Sequence, residues 1–211
     1  MPTSTAISAQ NSGFYVAGTP GASIPITAIT KAVAAVCTAT NTLAVGDVVS
    51  FGSVTGMPEI LGLLGIVIAA TGASFTVNID SSAFATVGAA GSALPQTWTE
   101  VGNVKTYSGF DGSVSELDKT NMRSGAMEYA AGLQDFGTFS ITVDIDNTDA
   151  GQLALRAQKS ASSTKAFKVV LPNGKLRAFN QFVKKFDESG GVNAIVKASV
   201  NLRITGVVNF S

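Results

Sequence analysis

The stretch FGTFSITVDID, residues 136–146, alternates apolar and polar side chains with a period of two. One face of the alternation is apolar, and the opposite face carries Thr138, Ser140, Thr142 and Asp144. This pattern is typical of a β-strand that has one face on a core and the other in solvent. The stretch therefore predicts a sheet with one polar face.

A second alternating stretch lies near the end of the chain. In AIVKASVNLRITG, residues 194–206, the polar positions are Lys197, Ser199, Asn201 and Arg203. Between the two stretches, residues 147–160 change to a helical period, with Asp149 as a candidate N-cap. The apolar stripe of this helix is predicted to be Ala150, Leu153, Ala154 and Ala157. Together these patterns predict a mainly β fold with one flanking α-helix.

The segment AFKVVLPNGKLRAFNQFVKKF, residues 166–186, has the pattern of a β-hairpin. Strands are predicted at roughly 166–171 and 176–186, because Asn-Gly readily adopts the positive φ of tight turns. The turn itself is assigned to Pro172, Asn173 and Gly174. The alternation slips in the second strand, where one face holds Phe179 and Val183 and the other Phe182 and Phe186. A β-bulge, or a strand buried on both sides, would produce this slip.

The composition limits the classes of function. The chain has 211 residues, a formal net charge of zero and only 13% charged residues, and such low charge favours association between protein copies. It contains no histidine, which excludes the usual Ser-His-acid and Cys-His arrangements and His ligation of zinc. The single Cys37 lies in an apolar run and is predicted to be a buried structural thiol. We therefore predict a protein that is not an enzyme and has no cofactor.

Three nearby carboxylates, Asp144, Asp146 and Asp149, raise the question of a calcium loop. Counted from Asp144, the sixth position is Asp149 rather than Gly, and the twelfth is Leu155 rather than Glu, so the EF-hand pattern is absent. No metal site is predicted. The longest apolar run, residues 60–70, is too short to span a bilayer, so no membrane partner is expected.

Charged residues are distributed unevenly along the chain. Residues 1–95 contain only four, Lys31, Asp47, Glu59 and Asp80. Stretches rich in Gly, Pro and Ser at residues 17–25 and 87–96 are candidate boundaries, and short β-like pieces punctuated by glycines lie between them. This pattern predicts a separate small all-β module of about seventy residues.

The segment SGFDGSVSELDKTNMRSGAMEYAAGLQDFG, residues 108–137, mixes charges of both signs with apolar side chains. We interpret it as a long connection without firm secondary structure, and loops of this length are usually functional or disordered. Two readings remain open, a solvated surface loop and a segment that orders against a neighbouring subunit. The candidate inter-subunit residues are Glu116, Leu117, Asp118, Arg123, Met127, Tyr129, Leu133 and Asp135.

The order of these pieces resembles that of the major tail tube proteins of long-tailed, lambda-like siphovirus phages. The matching elements are NSGFYVAG at residues 11–18, Glu116-Leu117-Asp118 in the long segment, Gly132-Leu133-x-Asp135-x-Gly137 before the first strand, and the Pro-Asn-Gly hairpin. The resemblance covers residues 1–25 and 96–211. Residues 26–95 are absent from the shortest members of that family and are expected to form an inserted small β-barrel domain on the outer surface.

The resemblance implies a β-sandwich or barrel with one flanking helix, assembled as hexameric rings that stack into a hollow tube. Its implied partners are copies of itself, a tape-measure protein, tail terminator and tail-tip proteins, and phage DNA in transit without sequence-specific binding. The implied location is the virion tail, assembled in the cytoplasm of a bacterial host. The polar strand faces named above, Thr138 to Asp144 and Lys197 to Arg203, are candidate lumen-facing residues.

A function of another class stays open at this stage. The chain can also be read as a monomeric or dimeric β-rich binding or adhesion module, with the insert as its recognition domain. Exposed aromatic side chains in the insert would favour this alternative, and the insert offers only Phe51, Phe75 and Phe84.

Overall fold

The computed structural model describes residues 6–85 and 89–211. The expectations for residues 1–5, and for residues 87 and 88 of one candidate boundary, lie outside the described residues. The described chain is mainly β with one α-helix, which confirms the predicted fold class. The strands are β1 Gly13–Ala17, β2 Ile24–Ile26, β3 Ala28–Ile29, β4 Ala35–Thr38, β5 Val48–Thr55, β6 Leu64–Thr71, β7 Ser74–Val77, β8 Ala90–Pro95, β9 Trp98–Glu100, β10 Val104–Gly109, β11 Val114–Asp118, β12 Tyr129–Gln134, β13 Thr138–Asp144, β14 Lys165–Val170, β15 Leu176–Ser189 and β16 Lys197–Phe210. The helix α1 spans Ala150–Ala161, and a short 3-10 helix spans Pro58–Ile60.

The first sheet has seven antiparallel strands in the order β10-β13-β16-β15-β14-β1-β9. Its buried face follows the predicted alternation, because Phe139, Ile141 and Val143 of β13 are almost fully buried while their neighbours are not. The aromatic rings of Phe14 in β1 and Tyr107 in β10 lie 5.2 Å apart. In a flat sheet, five strand positions would separate these strands by about 24 Å. The sheet therefore curls around its core as an open sandwich.

Helix α1 begins as predicted, because the Asp149 side chain accepts a hydrogen bond from the Gln152 backbone N–H. Of the predicted apolar stripe only Ala154 packs against the core; Leu153 is exposed, and the buried residues are Gly151, Gln152, Leu155 and Gln158. Gly151 lies so close to strand β9 that a Cβ would be 2.1 Å from the Glu100 carbonyl oxygen. Because the helix packs this closely on the sheet, Gln152 and Gln158 lie next to backbone carbonyls that need hydrogen-bond donors.

Gln152 and Gln158 satisfy backbone carbonyls of the strands and connections that the helix packs on. Gln152 Nε2 donates to the carbonyl oxygens of Gly102 and Asp144, at 3.2 and 3.0 Å. Gln158 Nε2 donates to those of Ser163 and Gln181, at 3.0 and 3.1 Å. A prediction based only on apolar residues could not identify the buried face of the helix, because two of its residues are glutamines.

The predicted hairpin is present as β14 and β15, and its turn has positive φ at Gly174 (+79°) but not at Asn173. Pro172 holds φ negative at the first turn position, which excludes the turn type with two positive φ values. The Gly174 N–H donates to the Leu171 carbonyl at 2.9 Å, as in a type I turn followed by a glycine bulge. Further along, the pairing of β15 with β16 shifts register twice, which confirms the predicted bulge.

The second sheet has the order β2-β8-β5-β6-β7-β4-β3 and is built between Ile24 and Pro95. Cys37 is fully buried in its core, and this burial raises the pKa of the thiol to about 12. Among the described strands no pairing closes this sheet into the expected barrel. Its two end strands are nevertheless consecutive in sequence, separated by Thr27 alone, so one bent segment joins both edges.

The two sheets pack directly on each other. Their shared cluster contains Ala17, Val48, Leu64, Ile66, Ala166, Leu176 and Ala178, with Trp98 and Val170 partly buried against it. Three asparagine amides bridge the sheets, from Asn209 to the Leu64 carbonyl at 2.7 Å, from Asn78 to that of Phe210 at 3.0 Å, and from Asn180 to that of Gly62 at 3.2 Å. The second sheet is therefore docked against β1, β14, the start of β15 and the end of β16.

Lys168 lies at this junction and was not singled out by the sequence. Its Nζ sits 4.9 Å from the ring centre of Tyr15 and 4.6 Å from that of Trp98. Burial lowers the pKa of the Lys168 ammonium, and the nearby charge of Asp47 acts in the opposite direction. Trp98 is thus occupied by a contact within the chain.

Candidate assembly surfaces

The eight candidate lumen-facing residues form one continuous surface. In the pairing of β13 with β16, they are four directly opposed pairs: Thr138 with Arg203, Ser140 with Asn201, Thr142 with Ser199, and Asp144 with Lys197. Directly opposed residues share a face of the sheet. Ser140 Oγ and the Asn201 side-chain oxygen are hydrogen-bonded across the strands. We call these eight residues the polar face.

Neighbouring strands extend the polar face with residues that the sequence did not assign to it. Thr106 and Ser108 of β10 oppose Thr142 and Ser140, while Lys185 and Asp187 of β15 oppose Asn201 and Ser199. Strand register was the missing information, since each of these residues lies in a stretch of weaker alternation. The full surface therefore spans four strands, from β10 through β13 and β16 to β15.

Most charges on this surface are paired with an opposite charge. Lys105 Nζ lies 2.9 Å from a carboxylate oxygen of Asp144, and Lys185 pairs with Asp187. Arg203 Nη2 lies 2.5 Å from a carboxylate oxygen of Asp135. Lys197 makes no ion pair with any described residue. The surface consequently has no block of positive charge that would hold a polyanion.

The four-stranded part of the sheet has two edges that no described strand covers. β10 is the first strand of the sheet, and its outer edge is unpaired in the described residues. β14 covers β15 only from Leu176 to Gln181, so residues 182–189 of β15 extend beyond it, and there Lys159 Nζ of helix α1 donates to the Phe186 carbonyl at 3.4 Å. Unpaired strand edges are templates for pairing with another chain.

The long segment is not the irregular connection that we expected. β11 and β12 form a two-stranded sheet of their own, and almost every residue from 111 to 135 is exposed. We call residues 111–136 the projecting hairpin. It exposes large apolar side chains, among them Leu133 with 89% of its surface accessible; the others are Val114, Leu117, Met122, Met127 and Tyr129. An isolated two-stranded hairpin has little stability in water, and monomeric proteins rarely expose so many large apolar side chains together.

The register divides the projecting hairpin into distinct rows. Asp118 opposes Tyr129, and Glu116 opposes Ala131, so these four side chains lie on one face. Leu133 lies further along β12, where the pairing shifts register between Val114 and Glu116, and its side chain is exposed. One face therefore combines Tyr129 and Ala131 from β12 with the acidic pair Glu116 and Asp118 from β11.

The stem of the projecting hairpin is fixed to the first sheet by two carboxylates. Asp111 accepts hydrogen bonds from the Thr138 backbone N–H at 2.6 Å and from its hydroxyl, and these bonds lower the pKa of the Asp111 carboxyl. Asp135 accepts from the Gly137 N–H at 2.8 Å and binds Arg203; the Gly137 bond is the largest cause that lowers its pKa. Asp135 thus contacts its own chain, and Asp111 is a stem residue that no sequence motif indicated.

The described residues contain no group of three or more His, Cys, Asp or Glu side chains that could hold a metal ion. In the same ranges no helix is long and apolar enough to cross a membrane. In the second sheet Phe51 and Phe75 are core residues, 4% and 1% exposed, and Phe84 is partly buried against them. These rings do not form the exposed aromatic platform that a recognition module would need.

Comparison with known proteins adds to this geometry. Residues 80–178 match the family model of the lambda-like phage tail tube. The match confirms the resemblance that the sequence motifs indicated, and it covers just under half of the chain. It begins inside the segment assigned to the insert and ends at Ala178, before most of β15 and all of β16. The matched family consists of structural tail proteins and is not an enzyme family.

Two solved assemblies contain chains that match part of this structure. One is the tail of an empty GTA particle, computed with helical refinement and C6 symmetry; its chain is 16% identical, with 54% of this chain and 86% of that chain covered and a TM-score of 0.47. The other is the anti-feeding prophage (AFP) baseplate, 6-fold symmetrised, with 9% identity, coverages of 82% and 96%, and a TM-score of 0.44. No curated protein matches the sequence.

Proposed function

We propose that this chain is the major tail tube subunit of a long-tailed phage, assembled as hexameric rings that stack into a conduit for DNA ejection. The observation that carries the proposal is the polar face with its extension onto β10 and β15, a surface of four strands whose charges are mostly paired and whose two outer strands have edges that no described strand pairs with. The family match over residues 80–178 supports the same function.

The rings would close by strand addition between copies. In the order β10-β13-β16-β15 every neighbouring pair is antiparallel, so β10 and β15 run in opposite directions. Rotation about a ring axis leaves the direction of each strand relative to that axis unchanged, so the same strand points the same way in every copy. The β10 edge of one copy can therefore add antiparallel to residues 182–189 of the next, which extends the sheet around the ring.

The polar face would then line the lumen. DNA binds proteins mainly through cationic contacts with its phosphates, and here Lys105, Lys185 and Arg203 already face carboxylates of the same chain. Such a lining lets DNA pass without holding it. A tape-measure protein would fill the lumen before ejection, and tail terminator and tail-tip proteins would bind the ends of the tube.

We propose further that residues 26–95 are a separate inserted domain on the outside of the tube, while residues 1–25 and 96–211 form the tube domain. The curl of the first sheet supports this arrangement. It turns the outer faces of β1 and β14, which the second sheet covers, away from the outer face of β13.

Electron microscopy of the purified protein tests the proposed function. We expect rings or tubes under assembly conditions, and monodisperse small particles under the same conditions would contradict the proposal.

A double variant, Asp118→Ala with Arg123→Ala, tests whether the projecting hairpin takes part in assembly. Both side chains are exposed, so the monomer should unfold as before while assembly is lost. Normal tubes from this variant would remove the two residues from the interface.

A further inference from the structure

The projecting hairpin and the β15–β16 loop, residues 190–196, lie at opposite ends of the same strands. The hairpin leaves the sheet beside the Thr138–Arg203 pair, whereas the loop enters it beside the Asp144–Lys197 pair. Seven residues of β13 separate these ends, about 23 Å at about 3.3 Å per residue. The hairpin of one copy can reach the loop of another only if the copies are displaced along the strand direction.

The β15–β16 loop is itself an exposed apolar surface. Val192 is 95% exposed, and Ile195 and Val196 are 64% and 47% exposed. The loop is held in a defined shape, because Asn193 adopts φ of +61°, the Ala194 N–H donates to the Gly191 carbonyl, and the Ile145 N–H donates to that of Val196. A shaped surface of this kind can receive a partner without large ordering costs.

The charges of the two surfaces are complementary. On the hairpin, Asp118 and Glu116 lie opposite Tyr129 and Ala131, Leu133 is exposed further along β12, and the two strands contain no cation. The loop has no charged residue from Gly190 to Val196 and is followed by Lys197, which makes no ion pair with a described residue. Acidic and apolar side chains on one surface thus meet apolar and cationic groups on the other.

We propose that the projecting hairpin of one copy docks on the β15–β16 loop of a copy in the next ring, with Tyr129 and Leu133 against Val192 and Ile195. This inference rests on the proposed function and names the acceptor surface for stacking. Because the two surfaces differ, the contact is heterologous, and repetition of such a contact propagates an open stack rather than a closed dimer. Lys197 at the rim of the loop would approach the acidic pair.

Site-specific cross-linking tests the docking. Two proteins are prepared, one with Leu133→Cys and one with Ile195→Cys; Cys37 remains in both, since its buried thiol has a raised pKa and reacts little. After mixing, assembly and treatment with a short bis-maleimide, we expect a cross-linked dimer only where both variants are present. A single chain that carries both substitutions should give a ladder of multimers.

A matched control pairs Leu133→Cys with Val33→Cys, a residue of the second sheet that is 75% exposed. This pair should give no cross-link. Tubes that form without a 133–195 cross-link, or that cross-link through Leu133→Cys alone, overturn the docking but leave the proposed function intact. If neither rings nor tubes form with the unmodified chain, the proposed function fails and the docking fails with it.

Discussion

The rings of Phe14 and Phe139 lie 6.3 Å apart, although four strand positions separate β1 from β13 in the sheet. In a flat sheet this separation would be about 19 Å. The contact shows that the first sheet folds over its own core, so that β1 and β13 face each other. The outer face of β13 and the surface covered by the second sheet consequently point in opposite directions.

This geometry predicts how assembly changes the accessibility of the chain. Ser199→Cys places a thiol on the polar face, and Val33→Cys places one on the second sheet; both positions are exposed in the single chain. A bulky polyethylene glycol maleimide should label both variants as monomers but only Val33→Cys in assembled tubes. Equal labelling of both in tubes would contradict a lumenal polar face.

Added positive charge on the polar face should make the conduit retain DNA. Thr142→Arg introduces a cation opposite Ser199, where no carboxylate of β16 is in register. Each new phosphate contact should steepen the dependence of log affinity on log salt by about 0.9. DNA retention by tubes, measured against salt concentration, checks this. Thr38→Arg on the exposed surface of the second sheet is the control, and a similar steepening there would argue against a lumenal effect.

Two glycines of the projecting hairpin make a matched pair for the stem. A Cβ on Gly112 would lie 1.8 Å from the Asp135 carbonyl oxygen, whereas a Cβ on Gly125 would meet no atom within 4 Å. Gly112→Ala should therefore displace the hairpin and abolish tube stacking, with little change in the thermal unfolding of the core. Gly125→Ala should stack normally. Electron microscopy measures tube stacking, and calorimetry measures the thermal unfolding of the core. Stacked tubes from Gly112→Ala would show that stacking does not require this stem geometry.

The stem should loosen in acid. Hydrogen bonds from Thr138 hold the pKa of Asp111 below its ordinary value of 3.8 in the folded chain. The stabilisation from this carboxylate is therefore present above the unfolded pKa and is lost as pH falls through the lower, folded value. The Thr138 amide resonance should titrate with a midpoint below 3.8, and Asp111→Asn should abolish that titration. Asp80→Asn, in the second sheet, should leave it unchanged.

The buried glutamines should couple energetically. Gln158 and Gln181 are each almost fully buried, and Gln181 Nε2 donates to Gln158 Oε1 at 3.0 Å. Gln158→Met leaves the carbonyls of Ser163 and Gln181 without this donor, at a cost of about 1–3 kcal/mol in unfolding free energy. Adding Gln181→Met should cost less than the sum of the single changes. Gln134→Met on the exposed hairpin is the control, and strictly additive losses would contradict coupling.

Local features of the sequence were enough to predict the local structure. The alternation around Phe139 and Val200 predicted β13 and β16, Asp149 predicted the helix start, and the slip near Phe182 predicted a bulge. Each of these signals depends on residues that are neighbours in the chain. The family resemblance likewise followed from the order of short motifs, and the match over residues 80–178 confirms it.

Contacts between distant residues decided the rest. The polar face exists because Thr138 to Asp144 pair in register with residues about sixty positions later, and no local pattern specifies that register. Gln152 and Gln158 turn inward because the backbone carbonyls of Asp144 and Gln181 accept their amide hydrogens. The polar face and the second sheet are separated because the first sheet curls, which brings Phe14 of β1 into contact with Phe139 of β13. Sequence periodicity determines which residues of a strand share a face, but only the folded sheet determines where that face points.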